Sequence, residues 1–258
     1  MLDTHCHIDE EAFEADREAV IARQREAGVE AMIVPGVNVH SIDTVMDVCK
    51  AHPGYCFPAL GLHPEDVKED WKEQLAVIEA AIRAHRSELV AIGEIGLDYY
   101  WDKTYKEQQQ EVLRHQLLLA RELDLPVILH NREATEDILR IVKEIGGRGV
   151  FHCFNGSKEV AQQILDMGFY LGIGGVLTFK NCKLADTLSD LHSFTPSLLY
   201  SLLLETDAPY MAPVPHRGER NESRFMTHVA ERLALVFDTT PEQVITQTTA
   251  NARQLFKM

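Results

Sequence analysis

Basic residues are scarce in this sequence. Lysine and arginine together number 25, against 40 aspartate and glutamate residues in a chain of 258, so the formal net charge is −15 with histidine neutral. A protein of this charge does not attract nucleic acid through its overall field, and a long basic binding arm is excluded. Any anionic substrate must therefore be attracted locally, by a bound cation or by a small basic patch.

Long apolar segments and paired cysteine motifs are also lacking. No stretch reaches the roughly 18 consecutive apolar residues of a membrane helix, and the chain opens with Met1, Leu2 and Asp3 rather than with a basic and then apolar leader. The five cysteines are scattered and form no C-x-x-C motif, which argues against a disulfide framework or a zinc ribbon. We therefore predict a cytoplasmic protein with no membrane contact and no obligate protein partner.

The sequence does contain a repeated pattern. A short apolar run is followed by a polar or glycine-containing tip and then by a longer segment with helical spacing. The apolar runs are continuous rather than alternating, as parallel strands covered by helices require. Eight runs are candidate strands: Leu2–His5, Ala31–Pro35, Cys56–Gly61, Leu89–Glu94, Val127–His130, Val150–Phe154, Phe169–Ile173 and Leu202–Thr206. The candidate helices are Glu11–Ala27, Ser41–Ala51, Trp71–Arg86, Tyr105–Leu123, Ala134–Glu144, Ser157–Met167, Cys182–Leu191, Arg224–Phe237 and Pro241–Phe256.

Eight strand-and-helix units in 258 residues predict an α/β fold of the (β/α)8 TIM-barrel type. No linker or low-complexity tract interrupts the pattern, so residues 1–258 are predicted to form one domain. A doubly wound sheet is the main alternative. It usually has fewer strands and a glycine-rich phosphate loop, and no G-x-G-x-x-G motif follows the first strand here.

Ionisable residues at the strand ends are the candidates for chemistry, because barrel active sites lie at the C-terminal ends of the strands. The first strand ends in His5-Cys6-His7, where the two imidazoles of an extended backbone point to the same side. The fourth ends at Glu94, and glutamate is rarely buried unless it is paired or binds a metal. Other strand ends add further candidates, namely His63, His130, His152, Glu205 and Asp207.

The number of candidate ligands favours two metal ions. Six of these residues are the candidate metal ligands: His5, His7, Glu94, His130, His152 and Asp207. Their four imidazoles and two carboxylates exceed the three or four protein ligands of one catalytic zinc, and Glu94 on the fourth strand is the natural bridge between two ions. A water molecule between the ions would become a hydroxide nucleophile, and the ions would stabilise the charge that develops on oxygen. The predicted ligand groups are His5, His7 and Glu94, with Asp207 nearby, and then Glu94, His130 and His152.

Six segments strengthen this interpretation because they occur in order along nearly the whole chain. They are Asp3-Thr4-His5-Cys6-His7, Ala59-Leu60-Gly61-Leu62-His63-Pro64, Gly93-Glu94-Ile95-Gly96-Leu97-Asp98-Tyr99, Leu125-Pro126-Val127-Ile128-Leu129-His130, His152-Cys153-Phe154-Asn155-Gly156 and Leu204-Glu205-Thr206-Asp207-Ala208-Pro209-Tyr210. Each segment is weak alone, but in combination they resemble the TatD family of metal-dependent deoxyribonucleases.

The resemblance implies a barrel of the metal-dependent hydrolase type that uses divalent ions, Mg2+, Mn2+ or Zn2+. It also implies hydrolysis of DNA phosphodiester bonds, often as a 3′-to-5′ exonuclease on single strands. The family's metal ligands fall on the same six residues that the strand ends predict. His63 and Glu205 match positions expected near the substrate or in proton transfer, and Asp207 would hold or accept the proton of the attacking water.

Binding of the DNA substrate is expected to be local, over a few nucleotides at the pocket, because the chain has no long basic track. Arg132, Lys158 and Arg217 are the candidates for binding phosphates, with Arg220 and Arg224 beyond Arg217 in the same region. After His130 this chain has Asn131 where many family members have serine or cysteine. That departure concerns substrate preference rather than the metals.

Two other functions are compatible with the same residues. Amidohydrolase-type barrels also begin with H-x-H and cleave amides, lactones or phosphoesters of small molecules. Many of their two-metal members bridge the ions with a modified lysine at the end of the fourth strand, where this chain has Glu94. The third possibility is a protein that binds metal but is catalytically inert, and the apparently complete ligand set argues against it.

Overall fold

The computed structural model describes residues 1–258 and contains one eight-stranded sheet in which every neighbouring pair is parallel. Strand order follows the chain. The strands are β1 (Leu2–Asp3), β2 (Ala31–Pro35), β3 (Cys56–Leu60), β4 (Ala91–Asp98), β5 (Val127–Arg132), β6 (Gly149–Phe151), β7 (Tyr170–Ile173) and β8 (Leu202–Leu204).

Nine α-helices accompany the strands. They are α1 (Arg17–Glu26), α2 (Ser41–Ala51), α3 (Trp71–Ala84), α4 (Lys106–Glu122), α5 (Thr135–Ile145), α6 (Lys158–Asp166), α7 (Leu184–Phe194), α8 (Met226–Phe237) and α9 (Pro241–Phe256). Short 3-10 helices occur at Glu11–Phe13, Pro64–Asp66, Gly175–Thr178, Leu198–Ser201 and Ser223–Phe225. None of these helices combines the length and apolar composition needed to cross a lipid bilayer.

Backbone hydrogen bonds join the first and last strands of the sheet. The amide of Thr4 donates to the carbonyl of Leu204 at 3.1 Å, and the amide of Asp207 donates to the carbonyl of His5 at 2.9 Å. The amide of His7 then donates to Ala208 at 2.8 Å. These bonds bring β8 back to β1, so the prediction of a (β/α)8 barrel is confirmed.

The fourth strand is longer than the sequence pattern predicts. It was expected to end at Glu94, but β4 continues to Asp98, which pairs with Arg132 of β5. The pairing register with β5 shifts between Ile92 and Ile95, so β4 carries a β-bulge around Glu94. A bulge bends a strand and redirects a side chain without ending the ladder. Gly93 and Gly96, which lie on either side of Glu94, therefore mark an irregularity within the strand rather than its end.

Successive inward-facing residues change from apolar to polar along the barrel. Ile128 of β5 and Val150 of β6 belong to one buried apolar cluster near the N-terminal ends of the strands. Two residues further along, on the same side of an extended chain, are His130 and His152. Helix α9 contributes three apolar side chains to the same cluster and so closes the N-terminal end: Ala252, Leu255 and Phe256. The polar residues are left to gather at the opposite, open end.

Truncation of Ile128 is expected to destabilise the barrel. Its side chain is fully buried, so Ile128→Ala would remove apolar contacts and leave a cavity, lowering the free energy of unfolding by about 2–5 kcal/mol. Urea denaturation monitored by circular dichroism would measure the change. The control is Leu235→Ala, whose side chain is 74 % exposed and whose loss should change stability by less than about 0.5 kcal/mol. Equal effects of the two substitutions would contradict this description of the core.

Candidate metal centre

The open end of the barrel brings together all six predicted metal ligands. Two of them follow β1, one lies at the bulge of β4, one is in β5, one follows β6 and one follows β8: His5, His7, Glu94, His130, His152 and Asp207. All but His130 and Asp207 are buried, and these two are partly exposed. Residues from five strands, separated by up to about 200 positions in sequence, thus face one another.

The carboxylate of Glu94 is at the centre of this group. One oxygen, Oε1, is 2.9 Å from Nδ1 of His130 and 2.8 Å from Nε2 of His152. The other oxygen, Oε2, is 3.2 Å from Nε2 of His5 and 3.7 Å from Nε2 of His7. Among the candidate ligands, each oxygen therefore faces a different pair of imidazoles, which is the arrangement expected of a carboxylate shared between two sites.

Asp207 completes the group on the side of β1. Its Oδ1 is 3.6 Å from Nε2 of His5 and 3.7 Å from Nε2 of His7. The Asp207 side chain is 20 % exposed, whereas that of Glu94 is 5 % exposed. Asp207 is thus the ligand-type carboxylate that a molecule entering from the open end can reach.

The donor atoms are placed as a cation would require. Nε2 of His5 lies 3.1 Å from Nε2 of His7, and Nε2 of His152 lies 3.3 Å from Nδ1 of His130. Facing nitrogen atoms repel at these distances unless a proton or a cation stabilises them. Four sets of three residues have donor atoms within 4.8 Å of one another: His5, His7 and Glu94; Glu94, His130 and His152; His5, His152 and Asp207; and His63, Glu65 and His130. The first two coincide with the predicted ligand groups, so the residues present fit divalent ions.

Burial and mutual charge shift the ionisation of these side chains. Burial opposes ionisation of Glu94, but the nearby His152, His63 and His5 hold its pKa well below the usual value. Burial also opposes charging of His130, yet hydrogen bonds with Asp98 and Glu94 raise its pKa to about 9. A cation that binds His130 must displace a proton, so metal binding is favoured as the pH rises.

Asp98 contacts one of the candidate ligands, and the sequence interpretation did not assign it. Its Oδ2 is 2.9 Å from Nε2 of His130, on the side of the ring opposite Glu94. When the N–H group at Nε2 donates a hydrogen bond to Asp98, the lone pair of Nδ1 is directed at the other candidate ligands. Carboxylate–histidine pairs of this kind orient metal ligands. The available signal was spacing, because Asp98 follows Glu94 by four residues in the same quoted segment.

Asp3 and Glu205 support the ligands from behind. Asp3 accepts hydrogen bonds from the amides of His5 at 3.1 Å and Thr206 at 3.0 Å, which ties the ends of β1 and β8 together. Glu205 is 1 % exposed, and its Oε1 lies 3.8 Å from Nδ1 of His152 and accepts from the amide of Cys153. Burial raises the pKa of Glu205 to about 8. Its carboxylate fits against Gly172, where any side chain would collide with it.

His63 lies at the edge of the cluster. Its Nδ1 accepts a hydrogen bond from the amide of Glu65 at 3.2 Å, which places the proton of the neutral ring on Nε2. Nε2 is 3.2 Å from Oε1 of Glu94, so His63 donates to that carboxylate. This contact places His63 beside Glu94, and its role near the substrate stays a prediction.

The predicted phosphate-binding residues differ in their surroundings. Arg132 ends β5 two residues after His130, and its guanidinium stacks on an exposed tyrosine. Lys158 begins α6 and lies 3.9 Å from the carboxylate of Asp190 on α7. Arg217 stacks on Phe179 at 3.9 Å. The guanidinium groups of the other two arginines considered are paired, Arg220 with Asp16 and Arg224 with Glu222, both at 2.8 Å.

Comparison with known proteins identifies the family to which this chain belongs. The model of the family described as TatD related DNase matches residues 2–257. The Bacillus subtilis (strain 168) protein YabD, described as an uncharacterized metal-dependent hydrolase, is 41 % identical over 262 residues, which cover 100 % of this chain and 99 % of YabD. The 3′-5′ ssDNA/RNA exonuclease TatD of Erwinia tasmaniensis is 35 % identical over 265 residues, which cover 100 % of both chains.

Among solved structures, the fold is similar to that of YJJV, a TatD homologue from Escherichia coli K12. The TM-score is 0.90 and the sequence identity is 32 %, and the match covers 100 % of this chain and 98 % of YJJV. The family match spans nearly every residue, and the relatives align over their full lengths. The chain therefore belongs to the TatD-related DNase family of metal-dependent hydrolases.

Proposed function

We propose that this protein hydrolyses phosphodiester bonds of single-stranded DNA from the 3′ end, with two divalent metal ions at the open end of the barrel. The observation that carries the proposal is the position of Glu94, whose two carboxylate oxygens contact different pairs of imidazoles. Relatives that are about 35 % identical over the whole chain and are named 3′-5′ ssDNA/RNA exonucleases support the choice of substrate.

The residues that would hold the ions form two groups that share Glu94. His5 and His7 would form one group with it, and His130 and His152 the other, with Asp207 beside the first group. When bound, divalent ions would acidify a water molecule and stabilise the negative charge that develops on the phosphate oxygens. Because ions supply this positive charge locally, the net charge of −15 is compatible with an anionic substrate.

The side chains divide the remaining tasks. Oδ1 of Asp207 would accept the proton of the attacking water, since Asp207 is the exposed carboxylate of the cluster. Glu205 would act as a positioning residue that fixes the ring of His152 from its buried side. His63 would orient the Glu94 carboxylate through the hydrogen bond that it donates. Arg132, Lys158 and Arg217 are the cationic groups proposed to bind phosphates along the strand.

A cleavage assay with defined oligonucleotides tests this function. Chelator-treated protein would be supplied with Mg2+, Mn2+ or Zn2+ in turn and incubated with single-stranded and duplex DNA labelled at the 5′ end. We expect the single strand to shorten one nucleotide at a time from its 3′ end, with no cleavage before metal is added. Hydrolysis of lactones or cyclic amides without cleavage of DNA by any metal-loaded sample would refute the proposal and favour an amidohydrolase.

Replacement of Asp98 tests how His130 is oriented. Asp98→Asn keeps an acceptor for the Tyr100 amide but removes the negatively charged carboxylate beside Nε2 of His130. Metal affinity or activity should therefore fall by about 10–100-fold. Calorimetric titration with Mn2+ and the cleavage rate would measure the two effects. Asp43→Asn, on the exposed face of α2, is the matched control and should leave both unchanged. Unaltered metal affinity in Asp98→Asn would mean that this carboxylate does not position the ring.

A further inference from the structure

Two exposed aromatic rings and one arginine lie together at the open end of the barrel, beside the candidate metal centre. The side chains of Tyr100 and Trp101 are 48 % and 65 % exposed. Their rings meet edge to face, with centroids 4.8 Å apart. The guanidinium carbon of Arg132 is 3.8 Å from the centre of the Tyr100 ring and 5.2 Å from that of Trp101. We refer to these three residues as the aromatic rim.

The aromatic rim is anchored to the same carboxylate that orients a metal ligand. Oδ1 of Asp98 accepts hydrogen bonds from the amides of Tyr100 at 2.8 Å and Trp101 at 3.4 Å, while Oδ2 contacts His130. Arg132 follows His130 by two residues in β5, a distance of roughly 7 Å along a strand. The rim is therefore within a nucleotide or two of the site where the phosphate would react.

The arginine of the rim is free to bind an anion. Arg132 forms no salt bridge and no side-chain hydrogen bond within the chain, and its neighbour Glu133 pairs with Lys103 at 3.8 Å instead. In a protein with an excess of 15 acidic groups, most arginines of the surface are paired with carboxylates. A guanidinium that lies over an aromatic ring can still donate hydrogen bonds from its N–H groups to a phosphate.

We propose that the aromatic rim binds an unpaired base of the nucleic-acid substrate, which stacks on Trp101 and Tyr100 while Arg132 binds an adjacent phosphate. The inference rests on the proposed function and adds the feature of the substrate that is recognised. Both faces of a base inside a duplex are covered by its neighbours, so only an unpaired base offers a face to these rings. Any base can stack on exposed aromatic residues. The aromatic rim is therefore expected to distinguish single strands from duplexes but not one base sequence from another.

Tryptophan fluorescence tests the contact without any cleavage. The chain has two tryptophans, and Trp71→Phe, in the outer helix α3, leaves Trp101 as the single reporter. The probe is a decathymidylate with phosphorothioate linkages, added with Mg2+. We expect saturable quenching by this probe and none by a strand of the same length and charge in which every base is absent. Equal quenching by both strands, or none by either, would overturn the proposed stacking.

Kinetics separate this inference from the proposed function. In Trp101→Ala, KM for a single-stranded oligonucleotide should rise by about tenfold, because the stacking of one base is lost, and Trp101→Phe should restore most of the loss. Arg132→Lys keeps a positive charge but not the flat stacked group, so its KM should lie between those of the wild type and Arg132→Ala. Tyr200→Ala is the control, because Tyr200 is 62 % exposed but precedes β8 at the opposite end of the barrel.

The outcomes can be told apart. A wild-type protein that cleaves single strands, together with a Trp101→Ala variant whose KM equals that of the wild type, would overturn the stacking proposal and leave the nuclease intact. A wild-type protein that cleaves no nucleic acid with any metal would refute the proposed function itself. A Trp101→Ala variant that cleaves normally but loses binding of a second protein would assign the exposed rings to a protein interface and also overturn the inference.

Discussion

Replacing Glu94 with glutamine is expected to reduce phosphodiester hydrolysis by about 1,000-fold or more, because bound cations supply several kcal/mol of charge stabilisation in such reactions. Glutamine has nearly the same shape as glutamate but no charge. The variant would lose the negative charge that lies within 3.2 Å of four imidazoles. One of them is in β5 and the others follow β1, β3 and β6: His130, His5, His63 and His152. Both proposed ion positions depend on this one carboxylate.

Metal content and activity should fall together in this variant. Metal bound after dialysis against Mn2+ would be measured by atomic absorption, and cleavage of a labelled single strand would give the rate. Circular dichroism would establish that the barrel is still folded. Glu73→Gln, on the exposed surface of α3, is the matched control and should keep the metal content and rate of the wild type. A folded Glu94→Gln protein with more than a tenth of the wild-type rate would show that Glu94 does not bridge the ions.

Replacing Asp207 with asparagine should reduce the rate by about 100- to 10,000-fold, the usual contribution of a positioned proton acceptor. Burial disfavours the charged form of Asp207, but the nearby imidazoles of His7, His5 and His152 keep its pKa below the ordinary value. The carboxylate is therefore ionised throughout the neutral range. A higher pH cannot restore the activity of the amide, since asparagine has no acidic form to ionise.

Two measurements distinguish this role from that of Glu94. Asp207→Asn should retain metal affinity at the group formed by Glu94, His130 and His152, which does not include residue 207. Its loss of rate should be the same between pH 6 and pH 9. Asp186→Asn, on the exposed side of α7, serves as the control. A rate that recovers at high pH would mean that Asp207 acts through a neighbouring titrating group rather than as the proton acceptor.

The order and type of the main elements could be predicted from the sequence because both depend on local patterns. Continuous apolar runs such as Ala31–Pro35 identify buried parallel strands, and this strand is found with the predicted bounds. Helix α9 also has its predicted bounds, since Pro241 at its first position and Thr240, which caps it, mark its start. Eight such units then leave a barrel as the most economical arrangement.

The candidate ligands could be proposed for a related reason. Parallel strands in a barrel all end at the same face, so residues at strand ends converge whatever their distance in sequence. His5 and Asp207 are about 200 positions apart, yet their side chains lie 3.6 Å from each other. Sequence patterns show where each strand ends, and that information is sufficient to predict that these side chains lie close together.

The position of Asp98 beside His130 could not be predicted in the same way. The path of β4 past Glu94 depends on a bulge, and without the bulge Asp98 would not pair beside Arg132 or reach His130. Glycines on both sides of Glu94 indicate a strand end as readily as a bulge in the sequence. The choice between the two depends on the hydrogen bonds offered by β5, a partner about 35 residues away.

The sequence by itself determined the barrel class, the positions of its strands and the set of side chains available for metal binding. Only the tertiary structure decided which of the charged residues are free. Arg220 and Arg224 are neutralised by Asp16 and Glu222, whereas Arg132 stacks on Tyr100 without an acidic partner. The physical reason is that long side chains pair according to distances across the surface. Those distances are set by helix and loop packing rather than by any local pattern in the chain.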